Sequence, residues 1–452
     1  KRFFNLSTTQ AWISGLVVGI HPFSWFTVGT IASTPDLLAT LFVLGALMYY
    51  IEKNTLLFFL LSFLAFLSKE TALVLVPGLI LIHEISTHRL KKVLSIKYIQ
   101  SILFILVGLI VLFGIYAAFR LYAVPEGWRT LVTDLPFSLA TGTRLSATAR
   151  TIFALLVPFQ PSISDATRVV GIFHWKALTV SLLVLTGIGM LWKKGIQSTV
   201  SRLILFMLLA LAPGLNSIPL PRFWTTNYGY FATIGIGVGI SLLWAWCRKK
   251  QSFLRKSIQA GIILWIITAS ISTAIAGLKL KDDRILFEEE VKRDVHFREG
   301  AYYLGNYHWE AGSLETAAAY YKQSLDENQT VIAYVDRTSA EINLAGVLLA
   351  QGNTDQAEEL LTQVLNYVSG SNERLVRYNL AVIAHTRGDY YRVVELLDGH
   401  IANWNRQEPW LLLIKTYSEL EQKEDVERVI QEAWPFLDRE LKEKLTPLLQ
   451  TS

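Results

Sequence analysis

Cysteine is almost missing from this chain of 452 residues. Cys247 stands alone at the end of an apolar stretch, so neither an intramolecular disulfide framework nor a cysteine-based zinc site can be built from the sequence. Acidic residues are scarce in the first 280 positions, which hold only Asp36, Glu52, Glu70, Glu84, Glu126, Asp134 and Asp165 against 24 lysines and arginines. Positions 281–452 carry the opposite balance, with 18 basic and 30 acidic residues. The net +5 is the sum of a basic apolar part and an acidic polar part, and it is not the footprint of a nucleic-acid binder. A glycine-rich phosphate loop is also lacking, since Gly235 and Gly237 lie in an apolar run and read as helix-packing residues. There is no initial methionine and no signal-peptide pattern, so an upstream segment is expected to precede Lys1.

Apolar length, by contrast, is abundant. Hydrophobic residues make up 52% of the chain and charged ones 17%, against about 25% charged in an ordinary soluble domain. Lipid cannot satisfy a backbone that does not bond within its own segment, so long apolar runs read as membrane helices. Nine runs qualify, near residues 8–31, 35–51, 55–67, 71–86, 99–121, 174–192, 203–219, 228–246 and 257–278. The third and fourth are short and separated by Ser68-Lys69-Glu70, which reads as a hairpin closing at the membrane surface. Ala147 to Phe159 is apolar over a shorter length and reads as an interfacial or re-entrant helix.

Short loops rich in lysine and arginine stay in the cytoplasm. His88-Arg89-Leu90-Lys91-Lys92 with Lys97, Lys193-Lys194 with Arg202, and Arg248-Lys249-Lys250 with Arg255-Lys256 are three such loops. With these inside, parity places Thr34 to Asp36, Ser68 to Glu70, residues 122–173, residues 214–227 and the whole tail outside, and Lys1-Arg2 inside.

After Lys279 the pattern changes to amphipathic helices that repeat themselves. Leu304-Gly305, Gly312, Ala317 and Tyr321 form one set; Leu344-Ala345, Gly352, Ala357 and Leu361 a second; Leu380-Ala381, Gly388, Val393 and Leu397 a third. A weaker fourth set is Leu413-Ile414, Tyr417, Val426 and Ile430. The starts are 40, 36 and 33 residues apart, near the ~34 of a tetratricopeptide repeat. The expected fold is therefore all-α, with a polytopic helix bundle over 1–280 and a helical-repeat solenoid over 281–452. Such arrays present a concave face, here expected to receive a protein or peptide.

Ionisable groups beside apolar spans are costly and tend to mark function. His21-Pro22 interrupts the first run, where proline breaks the hydrogen-bond ladder and leaves backbone that must find a partner. With Asp36, Lys69, Glu70, Arg222 and Tyr228, His21 forms a candidate donor or phosphate site at the outer surface. Each member also has a structural reading: Asp36 follows Thr34-Pro35 as a helix-start residue, Ser68-Lys69-Glu70 as a polar turn, His21 as a donor to a neighbouring helix, and Arg222, Trp224, Tyr228 and Tyr230 as an interfacial belt. No metal site is indicated.

At these residues the chain resembles the transmembrane and tetratricopeptide-repeat O-mannosyltransferase-like proteins and their bacterial relatives, in the membrane glycosyltransferase class C group. His21-Pro22 resembles the family's HP motif, Pro35-Asp36-Leu37-Leu38 its acidic-Leu-Leu helix start, Ser68-Lys69-Glu70 its SKE motif, and Tyr228-Gly229-Tyr230 to Ile234-Gly235 its aromatic segment. Thr34 stands where the family has Arg, and Thr226-Asn227 where it has Glu-Arg. The resemblance implies a polyprenyl-phosphate sugar donor, an inverting hexosyl transfer and a protein hydroxyl acceptor outside the cytoplasm. It also implies a multi-pass bacterial inner-membrane protein with extracytoplasmic repeats, and a catalytic acidic pair in a loop upstream of Lys1, so that the chain is expected to be N-terminally truncated and inactive as given. The alternative is a non-catalytic membrane scaffold that recruits partners through its repeats.

Overall fold

The computed structural model describes residues 1–88, 95–123, 135–215, 222–402 and 404–449. Of the acids and cations singled out in the sequence, Glu126, Asp134, Arg89, Lys91 and Lys92 lie outside the described residues, as do residues 216–221 of the 214–227 loop.

The apolar runs fold as helices, each begun or ended by local chemistry. A capping box between Ser7 and Gln10 starts α1 (Thr8–Ile20), and the Pro22–Ser24 turn leads into α2 (Trp25–Gly29). Pro35 opens α3 (Thr34–Ile51), and the Asn54 side chain caps α4 (Thr55–Ser68) by accepting from the Leu57 N–H. Then follow α5 (Ala72–Thr87), α6 (Ile96–Ala123), α7 (Phe137–Leu156), α8 (Trp175–Lys194), α9 (Thr199–Leu211), α10 (Thr233–Cys247), α11 (Ser252–Leu278) and α12 (Asp283–Arg293).

The expectation of nine spans is corrected. Among the described residues four helices are long and apolar enough to cross a membrane, within Ile31–Ile51, Leu103–Ala123, Trp175–Lys194 and Ser252–Lys281, and α1 with α2 makes a fifth if the pair, bent by 48°, is one span. The other four runs form apolar helices of 10–17 residues. At about 1.5 Å per residue these fall short of a hydrocarbon core about 30 Å thick. Helix α7 begins at Phe137, well before the apolar stretch expected from Ala147, and is not among the crossing helices.

At the break in the first run the Ser24 N–H turns to the His21 carbonyl, which leaves the Ile20 carbonyl at the end of α1 without its helical donor, and the Thr273 hydroxyl of α11 donates to it at 2.8 Å. Gly237 of α10 lets that helix approach α1 so closely that an added Cβ would lie 2.5 Å from the Ser14 carbonyl oxygen. Replacing Gly237 with alanine is therefore expected to destabilise the protein by about 1–3 kcal/mol through overpacking against backbone. Thermal unfolding in detergent checks this; Gly235→Ala, facing the flexible end of Met207, should cost less.

The chain divides into two compact units, Lys1–Phe297 with Asn328–Tyr334, and Arg298–Glu327 with Val335–Ser452. The first compact unit thus runs past residue 280 as far as Phe297. The reason is specific hydrogen bonding: Ser162 donates to Glu290 at 2.5 Å and Ser164 to Asp294 at 2.7 Å, which holds α12 to the first unit. The excursion 328–334 returns to the same unit through a two-residue antiparallel ladder, β1 (Thr167–Arg168) with β2 (Val331–Ile332), in register Thr167 to Ile332.

The second unit consists of helix pairs: α13 (Arg298–Glu310) with α14 (Leu314–Leu325), α15 (Arg337–Ala350) with α16 (Thr354–Leu365), α17 (Gly370–Thr386) with α18 (Tyr390–Leu397), and α19 (Gln407–Glu419) with α20 (Lys423–Ala433), followed by α21 (Arg439–Leu445). Gly312, Gly352 and Gly388 turn the first three pairs with φ of 73°, 80° and 76°. Glu421 takes the same place in the fourth with φ 57°, which is why that set is weaker in sequence. Ala317, Tyr321, Leu344, Leu361, Val393 and Leu397 are buried in one continuous core.

Candidate functional site

The site grows from the start of α3. Asp36 sits in the first turn of that helix, where a negative charge complements the helix dipole, and it is buried. Lys69 is extended, with φ −160° and ψ 141°, at the break between α4 and α5. Its ammonium reaches Asp36 Oδ1 at 2.5 Å, a charge pair with side chains only 18% and 10% exposed. The Asn227 amide then joins this centre to the segment before α10. Its Nδ2 donates to Asp36 Oδ2 at 3.3 Å and to Ser33 Oγ at 3.0 Å, while its Oδ1 accepts from Thr27 Oγ1 at 3.2 Å.

Around this centre stand the other expected members. Glu70 faces Arg120 of α6 at 3.9 Å. Tyr228, in the short helical turn Thr226–Gly229, donates to the Arg222 carbonyl at 3.2 Å. Burial pushes its phenol well above the ordinary tyrosine range; Arg222 opposes the shift, and Glu70, Asp36 and Asp165 add to it. The charges of three expected residues, Asp36, Glu70 and Arg222, thus act on one phenol together with that of Asp165. Arg222 itself lies toward Asp165, with Nε 3.7 Å from Oδ2, and its guanidinium covers the Tyr334 ring at 4.6 Å. Asp165 also accepts from the Tyr334 backbone N–H at 2.8 Å.

His21 is placed differently. It is fully buried, its Nε2 donates to the Leu155 carbonyl at 2.9 Å, and its Nδ1 accepts from the Phe23 N–H at 3.0 Å. Trp265 Nε1 donates to the neighbouring Leu156 carbonyl at 3.0 Å, so these two side chains together satisfy the end of α7. The structure gives His21 the bridging role, and its hydrogen bonds do not run to the Asp36 centre.

Two groups escaped sequence reasoning. Asn227 registered only as a departure from a family pattern; a lone amide just before an apolar helix was the signal available. Arg150 of α7 had no signal at all, being one arginine among many. It donates to the Ser164 and Ala166 carbonyls at 2.6 and 3.2 Å and lies over the Trp224 ring at 3.6 Å, while the indole of Trp224 donates to Thr151 at 3.0 Å. Burial pushes its guanidinium down to about 10, with Asp294, Asp165 and Glu290 pulling it back up, so it remains charged at neutral pH.

A second polar group lies at the far end of α3 and α5. Tyr50 donates to Glu84 at 2.7 Å, and Arg202 donates to the Phe3 and Ser86 carbonyls at 3.0 and 3.1 Å. Asp36 and Tyr50 are separated by most of α3, so this basic end and the Asp36 end are about 20 Å apart.

Beside Asp36, Asn227 and Tyr228 is a small cavity of about 20 Å³, roughly the space of one water. Among the described residues no group of three or more His, Cys, Asp and Glu side chains is arranged to hold a metal ion. Chemically, the centre offers a carboxylate held between an ammonium and an amide, with a phenol and two further charges close by.

The tetratricopeptide repeat family matches residues 308–375, from the end of α13 into α17. No curated protein and no solved structure matches the chain. A tetratricopeptide repeat is thus present, in a chain whose described residues also hold four helices long and apolar enough to cross a membrane.

Proposed function

We propose that this chain belongs to a membrane glycosyltransferase that moves a sugar from a polyprenyl-phosphate donor to a hydroxyl of a protein or peptide acceptor held by its repeats. The observation that supports this reading is the convergence of Asp36, Lys69, Glu70, Arg222 and Tyr228 at one end of the apolar helices. In such a transfer the anomeric carbon–oxygen bond to phosphate breaks as the acceptor oxygen attacks from the opposite face, and the acceptor proton passes to a carboxylate. Lys69 would stabilise the departing phosphate oxygens and Arg222 would add positive potential. Asp36 would hold Lys69 in place.

The separation of the two helix ends supports the sidedness that the reaction needs. His88, Arg202 and Arg2 gather at one end and Asp36, Lys69 and Asn227 at the other, as expected if the basic end faces the cytoplasm of a bacterial inner membrane and the site faces outward with the repeats. Solenoids of this type commonly bind peptides along their concave side. Asn306 and Asn343, joined by a 3.0 Å hydrogen bond and half-buried on α13 and α15, offer amides suited to a peptide backbone.

The test is transfer from a polyprenyl-phosphate sugar by the full-length protein in proteoliposomes, normalised to folded protein. Lys69→Ala is expected to lower turnover ~100-fold, the scale of losing one transition-state cation or donor, and Lys69→Arg to retain part of it. Equal transfer by wild type and Lys69→Ala overturns the assignment. One observation favours a second reading, a non-catalytic scaffold: the cavity beside Asp36 has the volume of a water rather than a sugar phosphate. Absence of transfer by any variant, with intact partner capture by the repeats, selects the scaffold.

A further inference from the structure

A separate cavity of about 460 Å³ opens between α7 and the start of α8. Its charged and polar lining comes from Ser146 and Arg150 on α7, Thr167 and Arg168 on β1, and His174, Trp175 and Lys176 at the head of α8, and no carboxylate lines it. Arg150 is committed to the Ser164 and Ala166 carbonyls. Arg168 and Lys176 are not: neither makes an ion pair among the described residues, and Lys176 has only the Trp175 ring, at 5.6 Å. At the same place α8, a helix of 20 residues, presents its amino terminus without a side-chain cap, since His174 at the N-cap makes no capping hydrogen bond. The Nδ1 of His174 is buried with no hydrogen-bond partner. Two unpaired cations, an uncapped helix start and an unsatisfied imidazole nitrogen converge on one volume, and all of them favour an anion.

The surroundings define what carries that anion. Phe173 is 83% and Trp175 66% exposed at the rim, and the apolar face continues down α8 through the exposed Leu178, Leu182 and Leu185. Only 11% of this span's apolar window is covered by the protein. The aromatic rim is the pattern of a membrane interface, and the bare leucines below it face acyl chains. A free anion would gain nothing from that apolar surface, whereas an amphiphile gains from both parts.

We propose that this pocket binds the phosphate headgroup of a membrane lipid, with Arg168 and Lys176 as its cations and the lipid's chains lying along α8. The proposal does not rest on the transferase reading, because these residues stand outside the Asp36 centre. The experiment is lipid binding to the full chain in nanodiscs, read by native mass spectrometry, with phosphatidylglycerol, a polyprenyl phosphate or phosphatidylcholine as the added lipid and inorganic phosphate as competitor. Each cation near a membrane surface contributes about a fivefold factor, so Arg168→Gln with Lys176→Gln is expected to weaken binding of the preferred anionic lipid roughly 30-fold. Lys193→Gln with Lys194→Gln, at the other end of α8, should change it less than about twofold. Preference for phosphatidylglycerol identifies a structural lipid, and preference for the polyprenyl phosphate identifies the site as a donor-binding subsite. Equal loss in both double variants, unchanged binding in Arg168→Gln with Lys176→Gln, or full competition by inorganic phosphate overturns the proposal. Arg168 is exposed and Lys176 is held only by the Trp175 ring, so unaltered thermal unfolding of their double variant confirms that the effect is on binding.

Discussion

Replacing Lys69 with methionine is expected to destabilise the protein by about 3–5 kcal/mol, the cost of leaving a buried charge without its partner. Asp36 lies 2.5 Å from the Lys69 ammonium, and its other oxygen has only the neutral Asn227 amide at 3.3 Å. Methionine keeps the length and apolar stem of lysine, so the change isolates the charge. The carboxylate would then either stay ionised in an apolar setting or take up a proton, and both routes cost free energy. The double variant Lys69→Met with Asp36→Asn should recover most of the loss, because a neutral pair removes the desolvation of both ions. Thermal unfolding of the four proteins in one detergent forms a double-mutant cycle. Simple additivity of the two single changes would show that the pair does not act as a unit.

Replacing Leu361 with alanine should cost about 2–5 kcal/mol, the range for removing a fully buried leucine and leaving a cavity. Leu361 is wholly buried on α16, within the core shared by the helix pairs. In an array where each pair contacts only its neighbours, damage to an interior pair also uncouples those on either side. Hydrogen exchange in peptides covering 337–365 is therefore expected to accelerate strongly, with smaller increases in α14 and α17 and none in the first compact unit. Leu360→Ala, at a partly buried position next in sequence, serves as the control and should cost distinctly less. Equal protection of 354–365 in the two variants would contradict the assignment of Leu361 to the core seam.

The polar centre was legible in part. Asp36, Lys69 and Glu70 stood out because charge is rare beside apolar runs, and the structure brings Asp36 and Lys69 into contact. His21 drew notice for the same reason, yet its surroundings make it a bridge to the end of α7. The difference lies in which carbonyls and charges surround a group, and nothing in the local sequence around His21 specifies that the Leu155 carbonyl will lie beside it. Arg222 illustrates the same limit: it pairs with Asp165, 57 positions earlier, and the ring beneath it is Tyr334.

The sequence by itself determined the helical class, the break at His21-Pro22 and the repeating helix pairs with glycine turns. Each of these follows from local rules: backbone groups in apolar runs must bond within the segment, proline removes a donor, and a positive φ favours glycine. Tertiary structure decided how many helices are long enough to cross a membrane, where the first compact unit ends and which polar residues meet. Helix length depends on where packing and caps terminate each run. The unit boundary depends on Ser162 and Ser164 finding Glu290 and Asp294 more than a hundred positions away. The meeting of Asp36 with Asn227 spans 191 positions, a contact set by the packing of whole helices rather than by any pattern along the chain.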